Sequence, residues 1–145
     1  MLLIREERSF EKWKLPGGVA DPGEEWPAAA EREVFEETGV RGIFQNVMLM
    51  RNSHGFQFGK SDLYVVCHLK SVEQDSNVIA IDEHEIEEAK WFDIDEWKSF
   101  TKHPINLEVI DQLTGIESGK IIEIETCLNP EKPKFRLYVP RGGTQ

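Results

Sequence analysis

Cysteine and long apolar runs are both scarce in this 145-residue chain. Its two cysteines, Cys67 and Cys127, lie sixty residues apart and form no CxxC pair. This spacing excludes a disulfide-rich scaffold and a zinc ribbon, and it predicts free thiols in a reducing compartment. No apolar run approaches the ~18 residues that a membrane-spanning helix needs, and no secretory signal is recognisable. These features predict a cytoplasmic protein that has no membrane partner. A mitochondrial or nuclear location remains open.

Positive charge is also in short supply. The 17 Lys and Arg residues are outnumbered by 27 Asp and Glu residues, giving a formal net charge of −10. Long nucleic acid is therefore excluded as the expected partner, because its binding needs a basic face. An acidic protein can still bind a polyphosphate locally through a metal ion, so a small nucleotide remains an expected substrate.

Short strands and a few helices follow one another without a repeating βαβ pattern, over a length that suits one domain, residues 1–145. This order predicts α+β or a mixed-sheet α/β/α sandwich. The helical segments outside the centre are DIDEWKSF and INLEVIDQLTG. The segments predicted as strands are LLIREE, WKL, IFQNVMLMR, SDLYVVCHLK and AKWFDI. KIIEIETCL and KFRLYVP alternate cleanly and predict a C-terminal hairpin at about residues 119–140.

A shaped loop leads into a central helix. Residues 16–25 are rich in Gly and Pro, which predicts a loop, whereas residues 27–38 are predicted to form a helix that ends at Gly39. Pro27, Ala30 and Val34 share one face of this helix, and we expect that face to be buried.

The same helix carries an unusual concentration of glutamates. Glu33, Glu36 and Glu37 stand at positions i, i+3 and i+4, so their carboxylates share one face. Like charges at this spacing destabilise a helix by a few tenths of a kcal/mol per pair, so a positive group is expected among them. A hard divalent ion such as Mg²⁺ or Mn²⁺ prefers oxygen ligands of this kind. The alternative is a solvated acidic face.

The spacing around these glutamates resembles a known signature. Gly18, five residues, Glu24, seven residues and then REVFEETGV match the Nudix box GX5EX7REUXEEXGU, at residues 18–40, in all nine specified positions. WKLPGG, GKSDLYVVCHL and EIEEAKWF further resemble a eukaryotic branch of this family. That branch includes plant ADP-ribose and NADH pyrophosphatases and the animal fibroblast-growth-factor antisense protein.

The resemblance implies a fold and an activity. The fold is a Nudix-type α/β/α sandwich with a mixed sheet, in which the strand that usually precedes LLIREE is missing from this chain. An unfilled sheet edge tends to pair with other strands, so the C-terminal hairpin or a second subunit in a homodimer is expected to fill it. The activity is hydrolysis of a nucleoside diphosphate linked to another moiety.

Residue roles follow from the same resemblance. Glu36 and Glu37 are implied metal ligands, and Glu33 is either a ligand or the base that activates water. Arg32 is the implied internal partner of the glutamates, and Glu24 is held through the loop. Gly39 ends the helix, and Gly18 marks where the loop backbone must bend or approach a ligand.

A fourth acidic ligand or base is expected outside the box. Glu85 stands six residues before Trp91, where several Nudix branches carry such a glutamate. Glu83, Glu87 and Glu88 are alternatives, and a merely solvated acidic loop remains open.

The segment RNSHGFQFGK is the predicted substrate loop. Arg51 and His54 are candidate phosphate partners, and Phe56 and Phe58 are candidate stacking surfaces for a base. The alternative is that both phenylalanines pack inward.

Together these features predict an Mg²⁺- or Mn²⁺-dependent pyrophosphohydrolase that acts on ADP-ribose or NADH and releases AMP. The alternative substrates are dinucleoside polyphosphates and RNA caps. A nucleotide-binding or regulatory protein with little turnover is the alternative from another class.

Overall fold

A computed structural model describes residues 1–6, 13–54, 59–72, 79–115, 121–126 and 135–140. Contacts divide the chain into two compact units. Unit 1 comprises Met1–Asn46 and Cys67–Trp97, and unit 2 comprises Val47–Val66 and Lys98–Gln145. Each unit is described by itself below.

Unit 1 contains a two-stranded antiparallel sheet. Strand β1 (Leu2–Arg5) pairs with β4 (Glu88–Trp91), with Leu2 opposite Trp91. The prediction of a second strand at WKL is wrong, because Lys14 forms only an isolated bridge to Ile4. Around this sheet the unit buries a core with little or no solvent exposure: Leu2, Leu3, Ile4, Ala29, Val40, Ile86, Phe92 and Trp97.

The predicted central helix is present as α1 (Trp26–Thr38), and its ends follow from its sequence. Proline stands in its first turn, where a missing N–H costs nothing. The helix stops at Gly39, which has a left-handed φ of 69° and donates its N–H to Phe35 O at 2.7 Å. At Gly39 a Cβ would lie 2.9 Å from the Cβ of Ala80, so both conformation and space require glycine.

The predicted buried face of α1 is wrong. Pro27, Ala30 and Val34 are only partly covered. The buried residues of the helix are instead Ala29, Glu37 and Thr38. Thr38 is satisfied locally because its hydroxyl donates to Val34 O at 2.5 Å.

A four-stranded sheet has the order β3-β2-β6-β5. Strands β2 (Gly42–Ser53) and β3 (Asp62–Ser71) contribute residues to both units, and β5 (Ile121–Thr126) and β6 (Phe135–Pro140) belong to unit 2. The last two pair antiparallel, with Ile121 opposite Pro140, and β6 also pairs antiparallel with β2, with Met50 opposite Tyr138.

Two further helices, α2 (Ile94–Phe100) and α3 (Pro104–Gly115), occupy the predicted segments. The apolar positions of α3 at Ile105 and Val109 are buried, as is Ile110. With helices and antiparallel sheets in one chain, the α+β class is confirmed. None of the helices within the described ranges is long and apolar enough to span a membrane.

Candidate active site on helix α1

An arginine gathers the acidic groups of the box. Arg32 donates from Nε to Glu24 Oε1 at 2.9 Å and from Nη2 to Glu24 Oε2 at 2.8 Å, a two-pronged ion pair. These hydrogen bonds, together with one from Asp21 N–H, lower the pKa of Glu24 to about 2. The loop carboxylate is thereby tied to the helix, as the Nudix resemblance implies.

The same guanidinium also binds two glutamates of its own helix. Nη1 of Arg32 lies 2.9 Å from Glu33 Oε1 and 3.0 Å from Glu36 Oε2, and Nη2 donates to Val19 O at 3.2 Å. The hydrogen bonds to Glu24, Glu33 and Glu36 raise the pKa of Arg32 above its already high ordinary value. The positive group expected among the glutamates is present in this structure as Arg32, which contacts both Glu33 and Glu36.

Gly18 leaves the space in which the Glu33 carboxyl group lies. A Cβ at Gly18 would stand 2.5 Å from Oε2 and 2.6 Å from both Cδ and Oε1 of Glu33. Any side chain here would displace the carboxyl group, so this glycine is required by close approach rather than by its φ. The sequence expectation placed a ligand near Gly18, and the structure places the Glu33 side chain there.

Glu37 is the buried member of the acidic group. Its side chain accepts the N–H of Gly17 at 2.7 Å, and only 6% of the residue is exposed. Burial raises the pKa of Glu37 to about 7, against the opposing effects of the Gly17 N–H and the charge of Lys14. The negative charges of Glu33 and Glu6 raise it further. An incoming cation would favour the ionised form of this carboxyl group.

Glu31 is a residue of this region that sequence reasoning missed. Its Oε1 accepts the N–H of Phe44 at 2.7 Å, which ties α1 to the start of β2. No feature of the sequence separates Glu31 from the neighbouring glutamates, because the partner is a backbone group thirteen residues away.

The donor set fits a hard divalent cation, although the side chains are not yet arranged around one point. Glu33, Glu36 and Glu37 offer only carboxylate oxygens, the ligands that Mg²⁺ and Mn²⁺ prefer. Among the described residues, no three Asp, Glu, His or Cys side chains are placed to hold one ion. An ion held by all three would need these side chains to rearrange. The Glu36 side chain, 58% exposed, is held by a single arginine nitrogen.

Glu85 is not brought to this acidic group by any described contact. It lies in a turn in which its N–H donates to Asp82 O at 3.1 Å, and its side chain is exposed. Of the alternatives, Glu87 and Glu88 both pair with Arg5, at 3.0 and 2.8 Å. The role of Glu85 stays a prediction.

Of the predicted substrate loop, Arg51 and His54 are described, and both lie in unit 2. Arg51 forms an ion pair with Asp62, and its guanidinium stands 4.9 Å from the centre of the Tyr64 ring. His54 Nδ1 lies 2.8 Å from Ser61 Oγ. Phe56 and Phe58 lie outside the described residues. Arg51 would have to leave a partner to reach a phosphate, which the sequence could not reveal.

Known proteins are similar in sequence to this chain. Nudix hydrolase 2 of Arabidopsis thaliana is 39% identical over 110 residues, 74% of this chain and 37% of the relative. Nucleoside diphosphate-linked moiety X motif 6 of Xenopus laevis is 40% identical over 99 residues, 66% of this chain and 44% of the relative. The chain thus spans less than half the length of these relatives.

A solved structure agrees with the fold. The MutT protein from Methanosarcina mazei Go1 has a TM-score of 0.56 at 24% identity, over 77% of this chain and 79% of that protein. The sequence pattern of the NUDIX domain matches residues 1–113, which include every residue of the box. With this match and the arginine-centred acidic helix, the chain belongs to the Nudix domain family.

Proposed function

We propose that the protein hydrolyses the pyrophosphate bond of a nucleoside diphosphate derivative with the help of Mg²⁺ or Mn²⁺. The observation that supports this most strongly is the arrangement of Arg32. It holds the carboxylates of Glu24, Glu33 and Glu36 within 3.0 Å of its guanidinium, one turn from the buried Glu37. Burying a carboxylate costs free energy, so a buried Glu37 is expected in a binding site and not on an acidic helix face that is merely solvated.

Each residue has a distinct task in this proposal. Glu36 and Glu37 would hold the ion, with Glu33 as a third ligand if it is not the base. The ion would supply charge neutralisation at the pyrophosphate and a lower pKa for attacking water. Arg32 and Glu24 hold the loop against the helix, so that the carboxylates stay close together. Gly17 orients Glu37 through its N–H. Glu33 is the candidate base, since its carboxyl group is confined by Gly18 and Arg32.

The proposed substrate is ADP-ribose or NADH, with AMP as one product. This choice rests on the resemblance of WKLPGG, GKSDLYVVCHL and EIEEAKWF to the branch that includes ADP-ribose and NADH pyrophosphatases, and on the acidic composition, which disfavours capped RNA. A dinucleoside polyphosphate is the competing substrate. The box acts on the diphosphate in each case, so the choice is made by residues outside it.

Product analysis tests the proposal. The protein would be incubated with Mg²⁺ or Mn²⁺ and ADP-ribose, NADH, diadenosine polyphosphates and a capped dinucleotide in turn. We expect AMP from ADP-ribose or NADH. AMP together with ATP or ADP from the diadenosine compounds alone would move the assignment to dinucleoside polyphosphates.

If no compound of the panel gives a product, the assignment as a hydrolase is wrong. If Mn²⁺ then still raised the thermal midpoint, which a ligand of the folded state must do, the protein would be a metal- and nucleotide-binding module instead.

A further inference from the structure

The backbone at Lys14 is fixed close to the acidic site. Lys14 exchanges two hydrogen bonds with Ile4, each 2.9 Å long, and Ile4 is fully buried in β1. The preceding residue, Trp13, packs edge-on against Phe92 with ring centres 4.7 Å apart. Three residues after Lys14, the N–H of Gly17 binds Glu37. The Lys14 side chain therefore starts from a rigid point beside the site.

The ammonium group of Lys14 has a partner that it can exchange. It forms an ion pair with Glu6, and the two side chains are 31% and 36% exposed. An ion pair with this exposure contributes little to stability, and an ammonium group has three donors to share. In contrast, Arg32 is committed to three carboxylates and a backbone carbonyl. Lys14 is thus the more available cation.

The charge of Lys14 acts on the acidic site itself. Burial is the largest influence on the pKa of Glu37, and the Lys14 charge is one of the two influences that lower it. Lys14 and Glu6 are therefore both within electrostatic range of Glu37. The carboxylates repel an approaching diphosphate, and the charge of Lys14 would add to the attraction that Arg32 and a bound metal ion supply.

We propose that Lys14 binds a phosphate oxygen of the substrate at the Glu37 side of the site. Glu6 holds the ammonium group in the free protein, and the phosphate displaces Glu6 on binding. No bond is made or broken in this exchange of ionic partners. The inference rests on the proposed function and names a residue outside the box that binds the diphosphate.

The test compares Lys14→Met with Lys14→Arg, Glu6→Gln and the control Lys70→Met, which removes a charge from an exposed position on β3. KM, kcat and thermal midpoint would be measured with ADP-ribose and Mg²⁺. We expect Lys14→Met to raise KM by about tenfold or more with kcat within about threefold, because a charge-assisted hydrogen bond to substrate is lost. Lys14→Arg should restore most of the affinity.

Glu6→Gln separates this role from a structural one. If Lys14 binds the substrate, Glu6→Gln frees its ammonium group and should lower KM, whereas Lys14→Met should raise KM. If the ion pair is merely structural, both variants should change KM in the same direction. Equal effects of the two variants, or a KM for Lys14→Met equal to that of Lys70→Met, would overturn the inference while the hydrolase stands.

If no substrate is turned over, calorimetric measurement of ADP binding tests whether Lys14 contacts a phosphate. Affinity that is weaker in Lys14→Met than in Lys70→Met supports the phosphate contact even though the proposed hydrolase has failed. Equal affinity in the two variants, or no binding by the wild-type protein, overturns it.

Discussion

Replacing Gly18 by alanine is the perturbation that the structure specifies most sharply. The added methyl carbon would lie 2.5–2.6 Å from the carboxyl atoms of Glu33, whereas carbon and oxygen atoms ordinarily stay about 3.3 Å apart or more. The carboxyl group must therefore retreat by roughly 0.8 Å. It can do so because it is the end of a flexible side chain, but it must lengthen or break its 2.9 Å hydrogen bond with Arg32.

Activity and stability should respond very differently to this change. Weakening one partly exposed charged hydrogen bond costs about 1 kcal/mol, equivalent to a fall of about 3–5 °C in the thermal midpoint. Displacing a catalytic group by about 1 Å can cost about 100-fold in rate. We therefore expect kcat/KM for ADP-ribose to fall by about 30–100-fold while the protein stays folded at assay temperature.

Steady-state kinetics and thermal denaturation of Gly18→Ala would be compared with those of Gly115→Ala. A Cβ at Gly115 meets no atom within 4 Å, so this variant controls for the glycine-to-alanine exchange itself. A Gly18→Ala protein as active as Gly115→Ala would refute the conclusion that Glu33 must occupy the space beside Gly18.

Two further predictions concern stability without metal. Burial raises the pKa of Glu37 from its ordinary 4.5 to about 7 in the folded protein, so stability should fall as pH rises from about 4.5 through 7 and then level off. In EDTA, Glu37→Gln should remove this fall. The variant should be as stable as the wild-type protein at pH 4.5 and, after allowance for solvent screening, about 1–3 kcal/mol more stable than it at pH 8. Urea denaturation at both pH values tests this, and no gain in stability at pH 8 would contradict it. Gly39→Ala should lower the free energy of unfolding by about 2–4 kcal/mol in the same assay, because the position combines a left-handed φ with a 2.9 Å approach to Ala80. A decrease below about 1 kcal/mol would contradict the tight turn.

The box and the elements around it could be predicted from sequence because they depend on local signals. Proline at the start and Gly39 at the end delimit α1, and the fixed spacing from Gly18 to Glu37 identifies the acidic site. The buried face of α1 could not be predicted by the same means. Hydrophobicity favoured Val34, but the carboxyl group of Glu37 is buried instead and accepts the N–H of Gly17 in the loop.

Contacts between distant residues account for the other differences. The strand expected at WKL is reduced to one bridge because Ile4 alone pairs with Lys14, and a short apolar run does not reveal how many partners it will find. Arg51 looked available for a phosphate, but Asp62, eleven residues later, binds it. Spacing within one helix is readable from sequence, whereas pairing across a loop is not.

AMP release by Glu36→Gln and Glu25→Gln, with ADP-ribose and Mg²⁺, tests the central claim most directly. Both variants remove one negative charge near α1, but only Glu36 is joined to Arg32, and the exposed Glu25 makes no side-chain capping bond. We expect a loss of about 100- to 1,000-fold for Glu36→Gln, of the size that removal of one transition-state stabiliser causes, and near wild-type rates for Glu25→Gln. Equal rates in the two variants would contradict it.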